Sequence, residues 1–227
     1  MVATLFDFDG VLVDSEPLHL AAFRDVLAAR GIAVSDEDYA SKYLGFDDAG
    51  AFRAILRDAG QVPADADIAR LIAAKSPAFM ARIDADLRVF PGAAELVRRR
   101  ASLGPVGIVS GALDGEIRVC LERMGVSDLV GFIIAADHTQ ACKPDPEGYL
   151  FAREKLAKMP RAQGAGERRV VVIEDSTAGV EAAKRAGLRC VAVTHSYPRD
   201  ALARAGADSV VDDLASMTDA LLDEALR

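Results

Sequence analysis

Two aspartates near the N-terminus, Asp7 and Asp9, are the first residues in this sequence whose types and spacing could do chemistry. They lie at the end of an apolar run, residues 4–8, that predicts a buried strand, and their i, i+2 spacing directs both carboxylates to the same side of an extended chain. Gly10 then allows a sharp turn. Because a buried carboxylate is costly unless it is paired or binds a cation, the pattern indicates either an ordinary polar turn or part of an ion site.

Three further groups of polar residues follow later apolar runs of the chain. Ser110-Gly111 comes after the run 105–109, Lys143 lies in the loop after the run 131–136, and Glu174-Asp175 ends the run that begins at Val170. Helical segments separate these runs, which predicts a parallel sheet covered on both faces. Open sheets of this kind bind ligands outside the carboxyl ends of their strands, so we expect all four groups to converge on one crevice.

Four acidic side chains would then lie close together: Asp7, Asp9, Glu174 and Asp175. Each like-charge pair at about 4 Å costs on the order of 4 kcal/mol at an effective dielectric constant near 20. Lys143 supplies only one positive charge. Hard oxygen ligands favour Mg²⁺ over softer metals, so the sequence predicts a Mg²⁺ site.

Two groups beside these acids could hold a phosphate. Ser110 offers a hydroxyl, and Gly111 lets a backbone N–H approach a ligand closely at what we expect to be a helix start. A cation, a lysine, a hydroxyl and backbone amides around a carboxylate are what phosphoryl transfer requires. A carboxylate nucleophile is a recognised route to an aspartyl-phosphate.

The segment between the first two groups differs from the rest of the chain. Residues 15–87 show helical periodicity without strand alternation, with Ser15 as the expected N-cap and a further helix near residues 36–43. We therefore expect an α/β core domain of residues 1–14 and 88–227 with a helical domain, 15–87, inserted in it. The segment 161–166 predicts a surface loop.

Charge and composition indicate which classes of binding partner this protein is expected to have. The formal net charge of −8 and the pI near 5.0 disfavour a nucleic acid or an anionic membrane as the main partner. Three scattered cysteines indicate neither a disulfide framework nor a zinc site. The N-terminus lacks a signal-peptide pattern, and no apolar run approaches membrane length. We expect a cytoplasmic protein, a monomer or homodimer, that binds a small molecule.

The four groups together resemble the motifs of the haloacid dehalogenase superfamily of phosphotransferases. The resemblance lies in four stretches in family order: residues 7–16 (DFDGVLVDSE), 109–111 (VSG), 143–146 (KPDP) and 173–176 (IEDS). It covers essentially the whole chain, and the pattern is most similar to the β-phosphoglucomutase-like phosphatases with an α-helical cap. It implies a Rossmann-like parallel-sheet core with residues 15–87 as the cap domain.

The resemblance implies a catalytic role for each of the first two aspartates. Asp7 would be the nucleophile that accepts the phosphoryl group, and Asp9 the general acid and base for the leaving group and the water. Dehalogenases of this superfamily carry no acid at the position of Asp9, so its presence favours phosphate esters as substrates.

The resemblance also implies the groups that hold the metal and the phosphate. The expected Mg²⁺ ligands are Asp7, the backbone carbonyl of Asp9, Asp175, and Glu174 directly or through water. Ser110 and Lys143 would hold the oxygens of the transferring phosphoryl group, and the cap would close over the substrate.

Three cap residues are tentative substrate contacts. His19 resembles a cap histidine of the mutases and Lys75 could reach the active site, although a solvated side chain is an equally good interpretation of each. Asp48 stands where β-phosphoglucomutases carry an arginine that grips a second phosphate. Since an acid would repel that phosphate, we expect a hydrolase.

The sequence therefore predicts a Mg²⁺-dependent phosphatase that acts on small phosphomonoesters through an aspartyl-phosphate. A β-phosphoglucomutase-type phosphotransferase and a non-catalytic phosphometabolite-binding protein remain as alternatives. The presence of both Asp7 and Asp9 opposes the binding protein, because mere binding requires neither a nucleophile nor a proton shuttle.

Overall fold

A six-stranded parallel sheet forms the centre of the larger part of the molecule. The computed structural model describes residues 2–159 and 169–227. The strands are β1 (Val2–Phe6), β2 (Val106–Val109), β3 (Phe132–Ile134), β4 (Arg169–Glu174), β5 (Arg189–Val193) and β6 (Ser209–Val211). Their order is β3-β2-β1-β4-β5-β6, which confirms the predicted parallel sheet.

The two central strands, β1 and β4, determine where in the sheet the predicted site lies. β1 and β4 are almost wholly buried and consist mainly of apolar residues, as expected for strands covered on both faces. Phe6 pairs with Ile173, so both strands end at the same level. The strand order changes direction between β1 and β4, and such a switch point opens a ligand-binding crevice at the carboxyl ends.

Ten α-helices occur in the described residues. Those in the stretch Asp14–Arg88 are α1 (Glu16–Ala28), α2 (Asp36–Asp38), α3 (Asp48–Asp58) and α4 (Asp65–Asp86). The others are α5 (Ala93–Leu103), α6 (Asp114–Arg123), α7 (Glu147–Lys158), α8 (Thr177–Arg185), α9 (Arg199–Arg204) and α10 (Asp219–Ala225). Helices α5, α7 and α8 pack against the sheet. None of the helices in the described ranges has both the length and the hydropathy needed to span a membrane.

The chain divides into two compact units. One contains the residues up to Val13 together with Val89–Arg227, and the other is Asp14–Arg88. We call them the core and the cap. The cap has an apolar centre of its own, which includes Phe23 on α1, Phe52 on α3 and Leu71 on α4.

Local structure differs from the sequence expectations at the end of β1, in the helix expected over residues 36–43 and at Ser15. β1 ends at Phe6, two residues earlier than predicted. The helix expected over residues 36–43 becomes a π-helix at Tyr39–Tyr43, in which the amide of Leu44 donates to the carbonyl of Tyr39. Ser15 precedes α1, but its side chain makes no capping hydrogen bond. The predicted loop 161–166 lies outside the described residues.

Candidate active site

Three carboxylates meet where β1 and β4 end. Asp7 directly follows β1, and its amide donates to the carbonyl of Ile173 at 2.9 Å, which carries the strand pairing one residue further. Glu174 is the last residue of β4 and Asp175 the next. All three acids are buried, and a set of their carboxylate oxygens lies within 4.8 Å of one another. The structure thus brings these predicted residues together.

Lys143 reaches this group from the loop that follows β3. Its Nζ lies 2.6 Å from Asp7 Oδ1 and 2.7 Å from Glu174 Oε1. The hydroxyl of Tyr149, near the start of α7, donates to the same Glu174 oxygen at 2.8 Å. Tyr149 is 1% exposed. Tyr149 was not identified from the sequence as a site residue. The signal that the sequence offered was its position six residues after Lys143, at the start of a predicted helix.

Glu174 is held by several protein donors. Lys143 and Tyr149 bind Oε1, while Oε2 accepts from the amides of Asp175 and Ser176, at 3.1 and 3.3 Å, and from the Ser176 hydroxyl at 3.1 Å. Since both of its oxygens are occupied, this carboxylate is well placed to orient the lysine.

Gly179 in α8 makes room for Glu174. A Cβ on this glycine would lie 1.8 Å from Oε1 of the carboxylate, so any side chain here would displace the acid. A glycine within a helix destabilises it by roughly 1 kcal/mol relative to alanine. A glycine inside the predicted helix was therefore the sequence signal that could have indicated a close contact at this position.

The electrostatics of the site show an excess of negative charge. Burial, together with the nearby charge of Glu174, raises the pKa of Asp7 to about 8 despite the opposing effect of Lys143. Burial and the charges of Asp7 and Glu174 raise the pKa of Asp175 well above its usual value. Burial lowers the pKa of Lys143, but attraction to Asp7 and Glu174 outweighs it and the pKa rises. The lysine therefore stays charged, and one ammonium does not balance the acids.

Asp9 and Ser110 contact each other near the ends of the neighbouring strands β1 and β2. Asp9 is half-buried, and the Ser110 hydroxyl lies 3.4 Å from its Oδ2 as a donor. Ser110 Oγ in turn accepts from the amide of Ala112 at 3.0 Å. Gly111 does not lie at a helix start as expected: it is an exposed residue in the bend that precedes α6, which begins at Asp114.

Gly10 provides the predicted turn after the first strand. Its φ is +75°, in the left-handed region that favours glycine. A Cβ here would lie 1.9 Å from Asp175 Oδ2. The turn therefore has two requirements that only glycine meets: the backbone angle and the close approach of a carboxylate.

The donor set fits a hard divalent cation. Asp7, Glu174 and Asp175 offer carboxylate oxygens only, which suit Mg²⁺ and similar metals. A nearby cation stabilises ionised carboxylates and so offsets the raised pKa values of Asp7 and Asp175. The excess of negative charge and the ligand chemistry point to the same kind of ion.

The three tentative cap residues contact one another inside the cap. Lys75 is fully buried, with Nζ 2.5 Å from Asp48 Oδ1 and 2.7 Å from His19 Nδ1. The rings of Phe23 and Phe79 lie 4.6 and 4.9 Å from the ammonium, and His19 stacks on Phe79 at 4.0 Å. The interpretation of Lys75 and His19 as solvated side chains is therefore wrong.

Asp48 begins α3 and is paired rather than free. Its ion pair with Lys75 offsets the negative charge that we expected to repel a second phosphate. Asp48 does not cap this helix: the N-cap is Asp47, whose side chain accepts a hydrogen bond from the amide of Gly50 at 2.8 Å. The expected repulsion is thus replaced by an ion pair that leaves little net charge of either sign.

Comparison with known proteins identifies the family. The model of the haloacid dehalogenase-like hydrolases matches residues 4–193. The chain belongs to this family. The phosphoglycolate phosphatase of Rhodospirillum rubrum is 31% identical over 227 residues, which cover 96% of this chain and 89% of that protein. A phosphorylated carbohydrates phosphatase of Thermotoga maritima is 31% identical over 215 residues, covering 93% and 94%.

A solved structure supports the fold over nearly the whole chain. CbbY from Rhodobacter sphaeroides, in complex with phosphate, aligns with a TM-score of 0.83 at 29% identity and covers 97% of this chain and 98% of that one. The resemblance inferred from the four motifs is therefore confirmed. The chain is a haloacid dehalogenase-like hydrolase with a parallel α/β core.

Proposed function

We propose that this hydrolase is a Mg²⁺-dependent phosphatase that cleaves small phosphomonoesters with Asp7 as the nucleophile. The observation that carries the proposal is the position of Asp7 at the end of β1, where it is buried, contacts Lys143, and belongs to the group of three carboxylates. Carboxylates that accept a phosphoryl group need this combination of a fixed position and nearby positive charge.

In the first half-reaction, a carboxylate oxygen of Asp7 attacks the phosphorus of the ester and the bond from phosphorus to the alcohol oxygen breaks. Asp9 gives its proton to the departing alkoxide, which leaves as the alcohol. Ser110 and Lys143 hold the phosphoryl oxygens, and the positive charge of the lysine stabilises the transferring group.

In the second half-reaction, the Asp9 carboxylate takes a proton from water as the water attacks the phosphorus of the aspartyl-phosphate. The bond between Asp7 and phosphorus breaks, which restores the Asp7 carboxylate and releases inorganic phosphate. Asp9 then carries the proton that the next leaving group requires, so the cycle closes.

The metal would be held by the side chains of Asp7 and Asp175 and by the backbone carbonyl of Asp9. When bound, Mg²⁺ supplies positive charge to the phosphoryl oxygens and orients them for in-line attack. We assign Glu174 chiefly to orienting Lys143, since the protein's own donors occupy both of its oxygens. A water-mediated contact between Glu174 and the metal is compatible with this assignment.

The relatives favour small organic phosphates as substrates, because they are named for phosphoglycolate and for phosphorylated carbohydrates. A contribution of His19, Asp48 and Lys75 to substrate selection stays a prediction. It is tested by the change in relative kcat/KM across a substrate panel when Asp48 is replaced by Asn. The mutase alternative is less favoured, because position 48 carries an aspartate paired with Lys75 and offers no free positive charge for a second phosphate.

The test is phosphate release from phosphoglycolate and a panel of sugar phosphates, with Mg²⁺ and with EDTA, for the wild type and for Asp7→Asn. Asp200→Asn is the matched control, because this exposed acid forms an ion pair with a surface arginine of the same helix, Arg204 in α9, away from the carboxylate group. We expect Mg²⁺-dependent release that Asp7→Asn lowers by at least about 10³-fold, with the control unchanged.

Two results would contradict the proposal. Interconversion of sugar phosphates primed by a bisphosphate, without net release, would make the protein a mutase. Saturable phosphate-ester binding without turnover in either assay would make it a binding protein.

A further inference from the structure

The segment after β5 reaches the site, although it belongs to none of the four motifs. Thr194, His195 and Ser196 follow directly after the strand, at the carboxyl edge of the sheet where Asp175 lies. β5 pairs with β4, so this segment is the neighbour of the residues that end β4. Ser196 contacts a carboxylate of the proposed cation site, and His195 contacts the turn that follows Asp9.

Ser196 contacts the cation-binding acid Asp175. Its hydroxyl forms a hydrogen bond with the Asp175 carboxylate. Ser196 Oγ would also lie 2.8 Å from a Cβ on Gly10, so the serine, the glycine turn and the carboxylate are packed together. As the carboxylate can only accept when ionised, the serine donates and helps to fix the direction of its oxygens.

His195 contacts the turn that carries Asp9. Its Nδ1 lies 2.8 Å from the carbonyl oxygen of Gly10. A carbonyl only accepts, so Nδ1 carries the proton. The imidazole also stacks on Phe90, with ring centroids 3.8 Å apart and 14° between the planes. The turn is closed on its other side by the hydrogen bond from the amide of Gly10 to the carbonyl of Val13.

We propose that Ser196 and His195 are positioning residues for the divalent-cation site. Ser196 orients the Asp175 carboxylate, and His195 fixes the turn at Gly10 and with it the adjacent backbone carbonyl of Asp9. This inference rests on the proposed function, because it concerns the cation that the phosphatase would use. Groups that orient metal ligands typically change metal affinity 10- to 100-fold when they are removed.

The first test measures Mg²⁺ binding to the full-length protein by calorimetry, without substrate. We expect Ser196→Ala to weaken the dissociation constant about tenfold. Thr194→Val is the matched control, since it removes a hydroxyl from the same segment whose contacts are with Asp212, at 3.4 and 3.5 Å. Melting in EDTA reports whether each variant is folded.

The second test separates the two contacts of His195. His195→Asn keeps a donor near the position of Nδ1 but loses the stacking, whereas His195→Phe keeps the stacking and loses the donor. We expect the Phe variant to need several-fold more Mg²⁺ for half-maximal binding, and the Asn variant to recover most of the wild-type affinity. The opposite order would assign His195 to packing against Phe90 alone.

The failure of this inference differs from the failure of the proposed function. If the wild type neither binds Mg²⁺ nor releases phosphate with it, the proposed function is wrong. If the wild type does both and Ser196→Ala and His195→Phe bind Mg²⁺ as the wild type does, only the positioning roles are wrong. A folded Ser196→Ala variant with weakened Mg²⁺ binding and a normal Thr194→Val control would support them.

Discussion

Two lysines, the half-buried Lys143 in the core and the fully buried Lys75 in the cap, have similar contacts and different charge balances. Lys143 in the core and Lys75 in the cap each place Nζ within 2.7 Å of a carboxylate. Lys75 faces a single carboxylate, Asp48, and an imidazole, with two aromatic rings over the ammonium. Lys143 contacts Asp7 and Glu174, and Asp175 adds a third acid to the same group.

The difference shows in which of the two clusters the positive and negative charges balance. The cap cluster is close to neutral and satisfied by its own residues, so no additional ion is needed to account for it. When its acids are ionised, the core cluster has surplus negative charge in a buried place, and burial together with the neighbouring acids therefore raises the pKa of Asp7 and Asp175. The proposed Mg²⁺ would balance the core cluster and has no such role in the cap, so the response to Mg²⁺ should distinguish the two lysines.

The largest effect is expected for Lys143→Met. This change leaves Asp7 and Glu174 buried without their positive partner, and breaking a buried pair in this way costs about 3–5 kcal/mol. Denaturant unfolding in EDTA measures the loss in free energy of unfolding. Mg²⁺ should raise the Tm of this variant by more than it raises that of the wild type, because the cation then supplies the only nearby positive charge. Phosphatase activity should fall about 10²- to 10³-fold.

Equal Mg²⁺-induced Tm shifts for Lys143→Met and the wild type would contradict this account. They would mean that the acids of the core protonate or rehydrate instead of taking up a cation.

Gly179→Ala sharpens the comparison without removing a charge. The new Cβ would lie 1.8 Å from Glu174 Oε1 and would push this acid away from Lys143. We expect a loss of about 2–3 kcal/mol in the free energy of unfolding, as is typical of overpacking. Gly115→Ala is the matched control, since it also lies in the first turn of a helix and no atom outside that helix lies within 4 Å of its added Cβ.

The Gly115 variant should be as stable as the wild type or slightly more stable. If Gly179→Ala were equally harmless in thermal melts, Glu174 would be free to move, and its assignment as the group that orients Lys143 would be wrong.

A smaller effect is expected for Lys75→Met in the cap. Asp48 loses its partner, but 18% of its side chain is exposed and water can hydrate it in part, so we expect a loss of about 2 kcal/mol. Mg²⁺ should raise the Tm of this variant by the same amount as that of the wild type. The double change Lys75→Met with Asp48→Leu should recover part of the stability, because apolar replacements of a buried pair are often tolerated.

A Mg²⁺ response that differs between Lys75→Met and the wild type would remove the distinction between the two lysines. Scanning calorimetry with and without Mg²⁺ gives this answer directly.

The sequence predicted the sheet, and the meeting of acidic side chains at its carboxyl edge, because both follow from local patterns. Continuous apolar strands and polar residues at their ends are visible in the chain, and parallel pairing then brings Asp7, Lys143 and Asp175 together. What it missed depends on which distant residues touch. The hydrogen bond from Tyr149 to Glu174 and the contacts of the segment after β5 arise from packing that no short motif records.

The cap also shows that contacts between residues distant in the sequence could not be predicted from it. The sequence identified His19, Asp48 and Lys75 separately, but it treated the lysine and histidine as equally well explained by solvation. Only the fold shows that one lysine lies between the other two residues. Likewise, the π-helix at Tyr39–Tyr43 has the residue composition of an ordinary helix, and its i+5 hydrogen bond is visible only in the structure.

The smallest effect is expected for Tyr149→Phe, which removes a neutral donor from the core cluster and leaves every charge in place. Glu174 Oε1 keeps Lys143 as a partner, so we expect a loss of about 1–2 kcal/mol in stability and less than a tenfold loss in kcat. Tyr43→Phe is the matched control, since its hydroxyl donates to Asp58 at 2.7 Å within the cap. It should cost less than about 1 kcal/mol and leave kcat unchanged. If Tyr149→Phe instead reduced kcat as much as Lys143→Met, the hydroxyl would act on the reacting groups themselves, and Glu174 would not be the residue through which it works.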